Sequence, residues 1–182
     1  MIRAFVAITL PEAVRARLAL LQHFLPLPRR VAPENMHITL VFLGEQPEDR
    51  LEELHHACAA IRAEPFALTL RGVGVFGGDK PRNVWVGVAP SPPLEHLQRK
   101  VETAARGAGI DVAARRFTPH VTLGRMRPHE ADLVRLEHAI AACNDFRAEP
   151  FDVTEFALMR SHLGRKGAEY AALATYSLML RD

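Results

Sequence analysis

The chain has 182 residues, 48% of them hydrophobic, with 23 Lys and Arg against 21 Asp and Glu and a formal net charge of +2. That length can bury a core in one domain or two small lobes, and no stretch reaches the roughly 18 uncharged apolar residues of a membrane-spanning helix. The near balance of charge excludes a general polyanion-binding coat, so any nucleic-acid contact must come from a local cluster of the mainly arginine cations.

Residues 2–10 alternate as a first strand. The opening MIRAFVAITLPE lacks the long apolar core and cleavage site of a signal peptide, so the chain is expected in the cytoplasm. Pro11 in a first turn, then Val14, Leu18, Leu21 and Leu25, gives an amphipathic helix. Pro26, Pro28 and Pro33 interrupt the chain until a strand over 36–43, MHITLVFL, ended by Gly44. Leu51, Leu54, Cys58 and Ile61 predict a second helix over about 47–63. Strands over 66–76 and 83–89 are joined by the turn-rich Gly77-Gly78-Asp79-Lys80-Pro81, and Leu94, Leu97, Val101 and Ala105 mark a third helix closing near Gly107 and Gly109. A second motif strand begins at His120, HVTLGRM. A helix through Leu133, Leu136 and Ile140 follows, then strands over 151–159 and 170–180 turned by Gly164-Arg165-Lys166-Gly167.

The pattern His-x-Thr therefore occurs twice, as His37-Ile38-Thr39-Leu40 and His120-Val121-Thr122-Leu123. Side chains at i and i+2 of a strand share a face about 7 Å apart, so each histidine sits beside its own threonine. The copies belong to an internal repeat. Arg62-Ala63-Glu64-Pro65-Phe66 recurs as Arg147-Ala148-Glu149-Pro150-Phe151 at an offset of 85, shared by Cys58 and Cys143, while the motif histidines are offset by 83. One bilobal domain is expected over 1–182, with motif halves at roughly 30–90 and 113–180. Its class is α+β, two pseudo-symmetric lobes, each an antiparallel sheet backed by helices, with a central cleft that His37 and His120 share.

Histidine titrates near neutrality, so a facing pair can hold one neutral base and one protonated acid. In-line displacement at phosphorus needs a base on the entering oxygen and an acid on the leaving oxygen, on opposite sides. Thr39 and Thr122 can hold the non-bridging oxygens, and no metal or other cofactor is required. Arg125 and Arg127 lie at odd spacing from His120, facing away on a regular strand; a bulge at Gly124 would return them to the cleft, and Arg125 is the better phosphate contact. Gly72-Val73-Gly74-Val75-Phe76-Gly77 fits the letters of a dinucleotide fingerprint but leads into another strand instead of a helix, so that reading is rejected. Cys58 and Cys143, on apolar helix faces, read as buried thiols. His55, His56, His96, His129 and His138 read as surface residues, His162 as a residue that could border the cleft, and Phe5 and Trp85 as core.

PENMHITLVFLGE and FTPHVTLGRMR, together with RAFVAITLPE, GVGVFGG…VWVGV and ALMRSHLGRKGAEY, resemble the two-histidine (2H) phosphoesterases over nearly the whole chain. Within them the chain most resembles the RNA 2′,3′-cyclic phosphodiesterases, also called 2′-5′ RNA ligases. The resemblance implies hydrolysis of a 2′,3′-cyclic phosphate at an RNA 3′ end, tRNA fragments among the candidate substrates, to leave a 2′-phosphate. It implies His37 as proton donor to the 3′ oxygen, His120 as proton acceptor from water, and Thr39, Thr122 and Arg125 on the phosphate. An RNA 5′-hydroxyl in place of water would give a 2′-5′ linkage without a nucleotide cofactor. The competing reading is a binding module for RNA ends or cyclic nucleotides without turnover.

Overall fold

The computed structural model describes residues 1–130, 132–165 and 167–179. Strand β1 (Ile2–Thr9) leads through helix α1 (Glu12–Gln22), the two-residue strand β2 (Arg29–Arg30) and a 3-10 turn at Pro33–Asn35 into β3 (His37–Gln46), the first motif strand. Helix α2 (Glu48–Ala59), β4 (Phe66–Leu68), the hairpin β5 (Leu70–Phe76) and β6 (Asn83–Val88), and α3 (Pro92–Gly107) follow. The second motif strand β7 (His120–Arg125) precedes α4 (Leu133–Ala142), β8 (Phe151–Val153), β9 (Glu155–Gly164) and β10 (Gly167–Ser177). Lys166 of the expected last turn and Leu180 at the end of the expected last strand lie outside the described residues.

Local chemistry sets these boundaries. Ser91 accepts the Leu94 N–H with its side chain, and prolines fill the first turn of α3, where a missing N–H costs nothing. Helix α2 stops at Ala59, short of the expected 63, where the Ala60 N–H closes the last turn on the His56 carbonyl. The expected strands over 66–76 and 151–159 are each broken at a threonine, Thr69 and Thr154. There the chain passes from a two-stranded sheet of β4 and β8 to the main sheet.

The main sheet runs β10-β9-β1-β3-β7-β6-β5, with β2 also pairing β7. Its two lobes, β10-β9-β1-β3 and β7-β6-β5, are halves of this one sheet, joined through Ile38 and Val121. The repeat is laid out differently from the spans 30–90 and 113–180. Leaving the two-residue β2 aside, each motif strand lies beside the strand before it in the chain, β1 for β3 and β6 for β7, and next comes a strand from the other repeat, β9 or β5. The repeated unit is thus β-α-β-α-β-β, beginning at β1 and at β6, and each unit lends its last strand to the opposite lobe. Equivalent strands meet in two places, β3 with β7 and β4 with β8, as a twofold axis between repeats requires. The Arg-Ala-Glu-Pro-Phe copies run into β4 and β8, whose register sets Leu68 against Phe151.

One face of the sheet is closed by the helices. Leu18 of α1, Leu54 of α2, Leu97 of α3 and Leu136 of α4 pack into one core with Ile38, Leu40, Val121 and Leu123. Cys58 is buried there, and burial pushes its thiol up to about 12, which makes it inert; Cys143 follows the end of α4 and is only half-buried. The opposite face carries a small cluster of Phe5, Ala7, Ala157 and Met159 with Tyr170 packed on it, and this face holds the motifs. Among the described residues no helix is long and apolar enough to cross a membrane.

The glycines of the rejected fingerprint have a packing role. Gly72 has φ +72° where β5 slips register against β6, and Gly74 lies under the Trp85 indole, where a Cβ would overlap the ring. Gly74→Ala should therefore displace the indole and destabilise the fold by about 1–3 kcal/mol. Trp85 is the chain's single tryptophan, so a changed emission maximum together with a lower Tm is the expected result, and unchanged emission would contradict this packing.

Candidate active site

The register at the lobe junction builds the site. Ile38 pairs with Val121 between antiparallel strands, and continuing that register by one residue sets His37 opposite Thr122 and Thr39 opposite His120. Side chains directly opposite share a face, with Cβ atoms ~5 Å apart and diagonal neighbours ~7–8 Å apart. Four groups thus occupy the corners of one small quadrilateral, with histidines on one diagonal and threonines on the other. All four are half-buried and line a cleft of about 730 Å³.

Each imidazole is fixed in the same way. His37 Nδ1 donates to the Asn35 carbonyl at 2.7 Å, and His120 Nδ1 donates to the Thr118 carbonyl at 2.7 Å. A carbonyl only accepts, so both Nδ1 atoms carry hydrogen and both Nε2 atoms are the ones available for proton transfer. His37 Nε2 also meets Thr39 Oγ1 at 3.1 Å. The Asn35 side chain donates to the Ala168 carbonyl of β10, which pins the turn that supplies the His37 anchor.

Aromatic rings hold both histidines from the side. His37 stacks on Phe5 with ring centres 4.8 Å apart and meets the edge of Tyr170 at 5.2 Å. His120 meets Phe76 edge-on at 4.9 Å, with Trp85 beyond at 6.1 Å. Phe5 is buried as expected, whereas Trp85 is only half-buried, and the contacts of both rings with the imidazoles were not anticipated.

Arg125 reaches the cleft by a bulge one step from where it was expected. Trp85 pairs with Thr122 and Val84 with Gly124, so Leu123 is the extra residue, and beyond it Arg125 stands opposite Asn83 on the cleft face. The first motif is built alike: Ala7 pairs with Thr39 and Val6 with Val41, leaving Leu40 extra. Leu40 and Leu123 are both buried in the core, so each bulge tucks a leucine under its motif. Arg127 does not line the cleft; nor does His162, which pairs with Glu169 at 3.0 Å on the exposed end of the β9–β10 hairpin. Arg115 and Arg116, unmarked by any sequence pattern, join Arg125 along the cleft wall. The carbonyls of Asn35 and Thr118 were also missed, although both precede their histidine by two residues.

Burial holds both histidines below the ordinary value of 6.5, partly offset by their carbonyl hydrogen bonds. The charges of Arg125 and His120 lower His37 further, and Arg115 does the same to His120. Among the described residues no group of three His, Cys, Asp or Glu side chains is placed to hold a metal ion.

Comparison with known proteins identifies the family of the chain. The profile of the 2′-5′ RNA ligase superfamily matches residues 10–165. A protein of Archaeoglobus fulgidus named RNA 2′,3′-cyclic phosphodiesterase is 31% identical, over 96% of this chain and 99% of its own. One of Thermus thermophilus with the same name is 34% identical, over 97% and 90%. The crystal structure of E. coli LigT in apo form superposes with a TM-score of 0.81 at 29% identity, covering 98% of both chains.

The lowered histidine pKa values have a consequence for stability. The unfolded chain binds protons on these residues at higher pH than the folded chain, so stability falls as pH drops through 6.5 and levels off below the folded pKa values. Melting temperatures from pH 7.5 to 5 should show this fall, and His37→Gln or His120→Gln should make it shallower. An equal slope in both variants would mean the two rings titrate normally.

Proposed function

We propose that this chain, which belongs to the 2′-5′ RNA ligase superfamily, hydrolyses 2′,3′-cyclic phosphate ends of RNA to 2′-phosphates, as one bilobal domain with the cleft between its lobes. The observation that carries this reading is the pairing of Ile38 with Val121, which sets two Nδ1-anchored histidines across one cleft with a threonine beside each. The phosphate sits between them. His120 Nε2, neutral, takes a proton from the attacking water as its oxygen bonds to phosphorus. His37 Nε2, protonated, gives its proton to the 3′ oxygen as the P–O3′ bond breaks. Thr39 and Thr122 donate hydroxyl hydrogens to the non-bridging oxygens, and Arg125 balances the charge that builds on them. With an RNA 5′-hydroxyl in place of water, the same groups form a 2′-5′ linkage without a nucleotide cofactor. Acid, base and electrophilic donors are all side chains, so no step calls for a metal. RNA ends in the cytoplasm, tRNA fragments among them, are the substrates of this reading.

Incubation with an oligoribonucleotide ending in a 2′,3′-cyclic phosphate tests it. The expected product end is a 2′-phosphate, formed equally in the presence of a chelator. His37→Ala and His120→Ala should each lower kcat by about 10²–10⁴-fold while ligand affinity and Tm stay near those of the parent. Binding without turnover in the parent chain would establish the binding-module reading instead. Because one histidine must be charged and the other neutral, and both lie below 6.5, kcat/KM should follow a bell with its maximum below pH 6.5. A rate that climbs steadily to pH 8 would contradict the paired mechanism.

A further inference from the structure

The cations of the cleft continue past Arg125 onto the neighbouring strand. Arg29 of β2 pairs directly with Arg125 of β7, which pairs on its other side with Asn83 of β6. The three residues form a row across the sheet, and directly opposed residues present their side chains on one face. Val31, two residues along from Arg29, lines the cleft itself. Gly124 permits the approach of β2: a Cβ there would lie 2.8 Å from Leu27 Cδ2 and 3.1 Å from the Arg29 carbonyl.

Two like charges opposed across a strand pair destabilise the sheet. Among the described residues the compensation beside them is weak. Glu130 meets Arg29 Nη2 at 3.2 Å with the arginine side chain about half exposed, and the same carboxylate oxygen accepts the Arg127 N–H at 2.7 Å. Such an exposed pair is worth little and exchanges readily. A phosphodiester would replace it with a stronger bidentate partner. Adjacent strands lie ~4.8 Å apart, while successive phosphates of one nucleic-acid strand rise ~3.4 Å along a helix axis and spread further when extended. The long side chains of two arginines on neighbouring strands, splayed apart, therefore reach two successive phosphates.

Resting on the reading of the cleft as an RNA-end site, we propose that Arg29 forms a second phosphate subsite. Arg125 serves the reacting phosphate, Arg29 takes the phosphodiester one nucleotide upstream, and Glu130 competes for Arg29 when that phosphate is absent. The chain then prefers the end of an oligoribonucleotide over a mononucleoside cyclic phosphate, through charge and without reading sequence.

Calorimetric binding of uridine 2′-phosphate and of a uridine dinucleotide ending in 2′-phosphate, at several salt concentrations, tests this. The parent should bind the dinucleotide more tightly. Arg29→Ala should weaken the dinucleotide about three- to tenfold, leave the mononucleotide unchanged, and lower the salt slope by ~0.7. Glu130→Gln keeps an acceptor for the Arg127 N–H but loses its charge, and should tighten the dinucleotide alone. Arg30→Ala removes an equal charge from the opposite face of β2 and should change neither ligand. Equal losses on both ligands in Arg29→Ala, no loss on either, or an Arg30→Ala effect matching that of Arg29→Ala would overturn the subsite. Hydrolysis of the corresponding cyclic phosphates is measured in parallel. A dinucleotide advantage without turnover would defeat the hydrolase reading and keep the subsite, and turnover without the advantage would do the reverse.

Discussion

The pairing of Ile38 with Val121 is the constraint on which the rest of the site depends. Both residues are fully buried, and they are the only pair through which β3 and β7 hold register among the described residues. Shifting this register by one residue would turn one motif into the core and its neighbours into the cleft, because side chains alternate across a strand. Burial of Ile38 and Val121 against the helices opposes that slip. The bulges at Leu40 and Leu123 then bend each strand just beyond its threonine and add a second buried anchor. The chemistry of the cleft thus rests on apolar residues that never touch a ligand.

Symmetry is close at the four motif positions and breaks immediately beyond them. Past the bulge of β3, Phe42 pairs with Phe5; past the bulge of β7, Arg125 pairs with Asn83. Phe42, exposed in the cleft with Arg3 over its ring at 5.0 Å, therefore occupies the place equivalent to Arg125. The antiparallel register puts Arg125 at the His37 end and Phe42 at the His120 end. The two ends of the cleft thus differ at this one pair of equivalent positions, a guanidinium beside His37 and an aromatic ring beside His120, although the acid–base groups between them are nearly identical.

Much of this was legible because helices and alternating strands leave periodic marks. The stripe Leu94, Leu97, Val101, Ala105 is buried as read, and His37, Thr39, His120 and Thr122 share one face as the i, i+2 spacing required. The two Arg-Ala-Glu-Pro-Phe copies run into β4 and β8, which pair with each other. Which strand pairs with which left no such mark. The hairpin after each motif was expected within its own half, whereas β5 adds to the lobe of β7 and β9 to that of β3. Strand partners separated by scores of residues are chosen by packing, not by local pattern. The bulge was anticipated at Gly124 because glycine is the visible signal. It falls at Leu123, while Gly124 is needed for the passage of β2, a contact from nearly a hundred residues away.

The exchange of last strands also bears on how the molecule holds together over time. Without β9, strand β1 would keep an open hydrogen-bonding edge, and without β5 the same is true of β6. Neither repeat can complete its own sheet, so the lobes are interlocked and should unfold in one cooperative step, with a single calorimetric transition as the signature. A half-length ancestor with this topology would have needed a second copy of itself to close both edges, as in a strand-swapped dimer. In one continuous chain that partner is always present at fixed effective concentration, and the cleft persists however dilute the protein becomes.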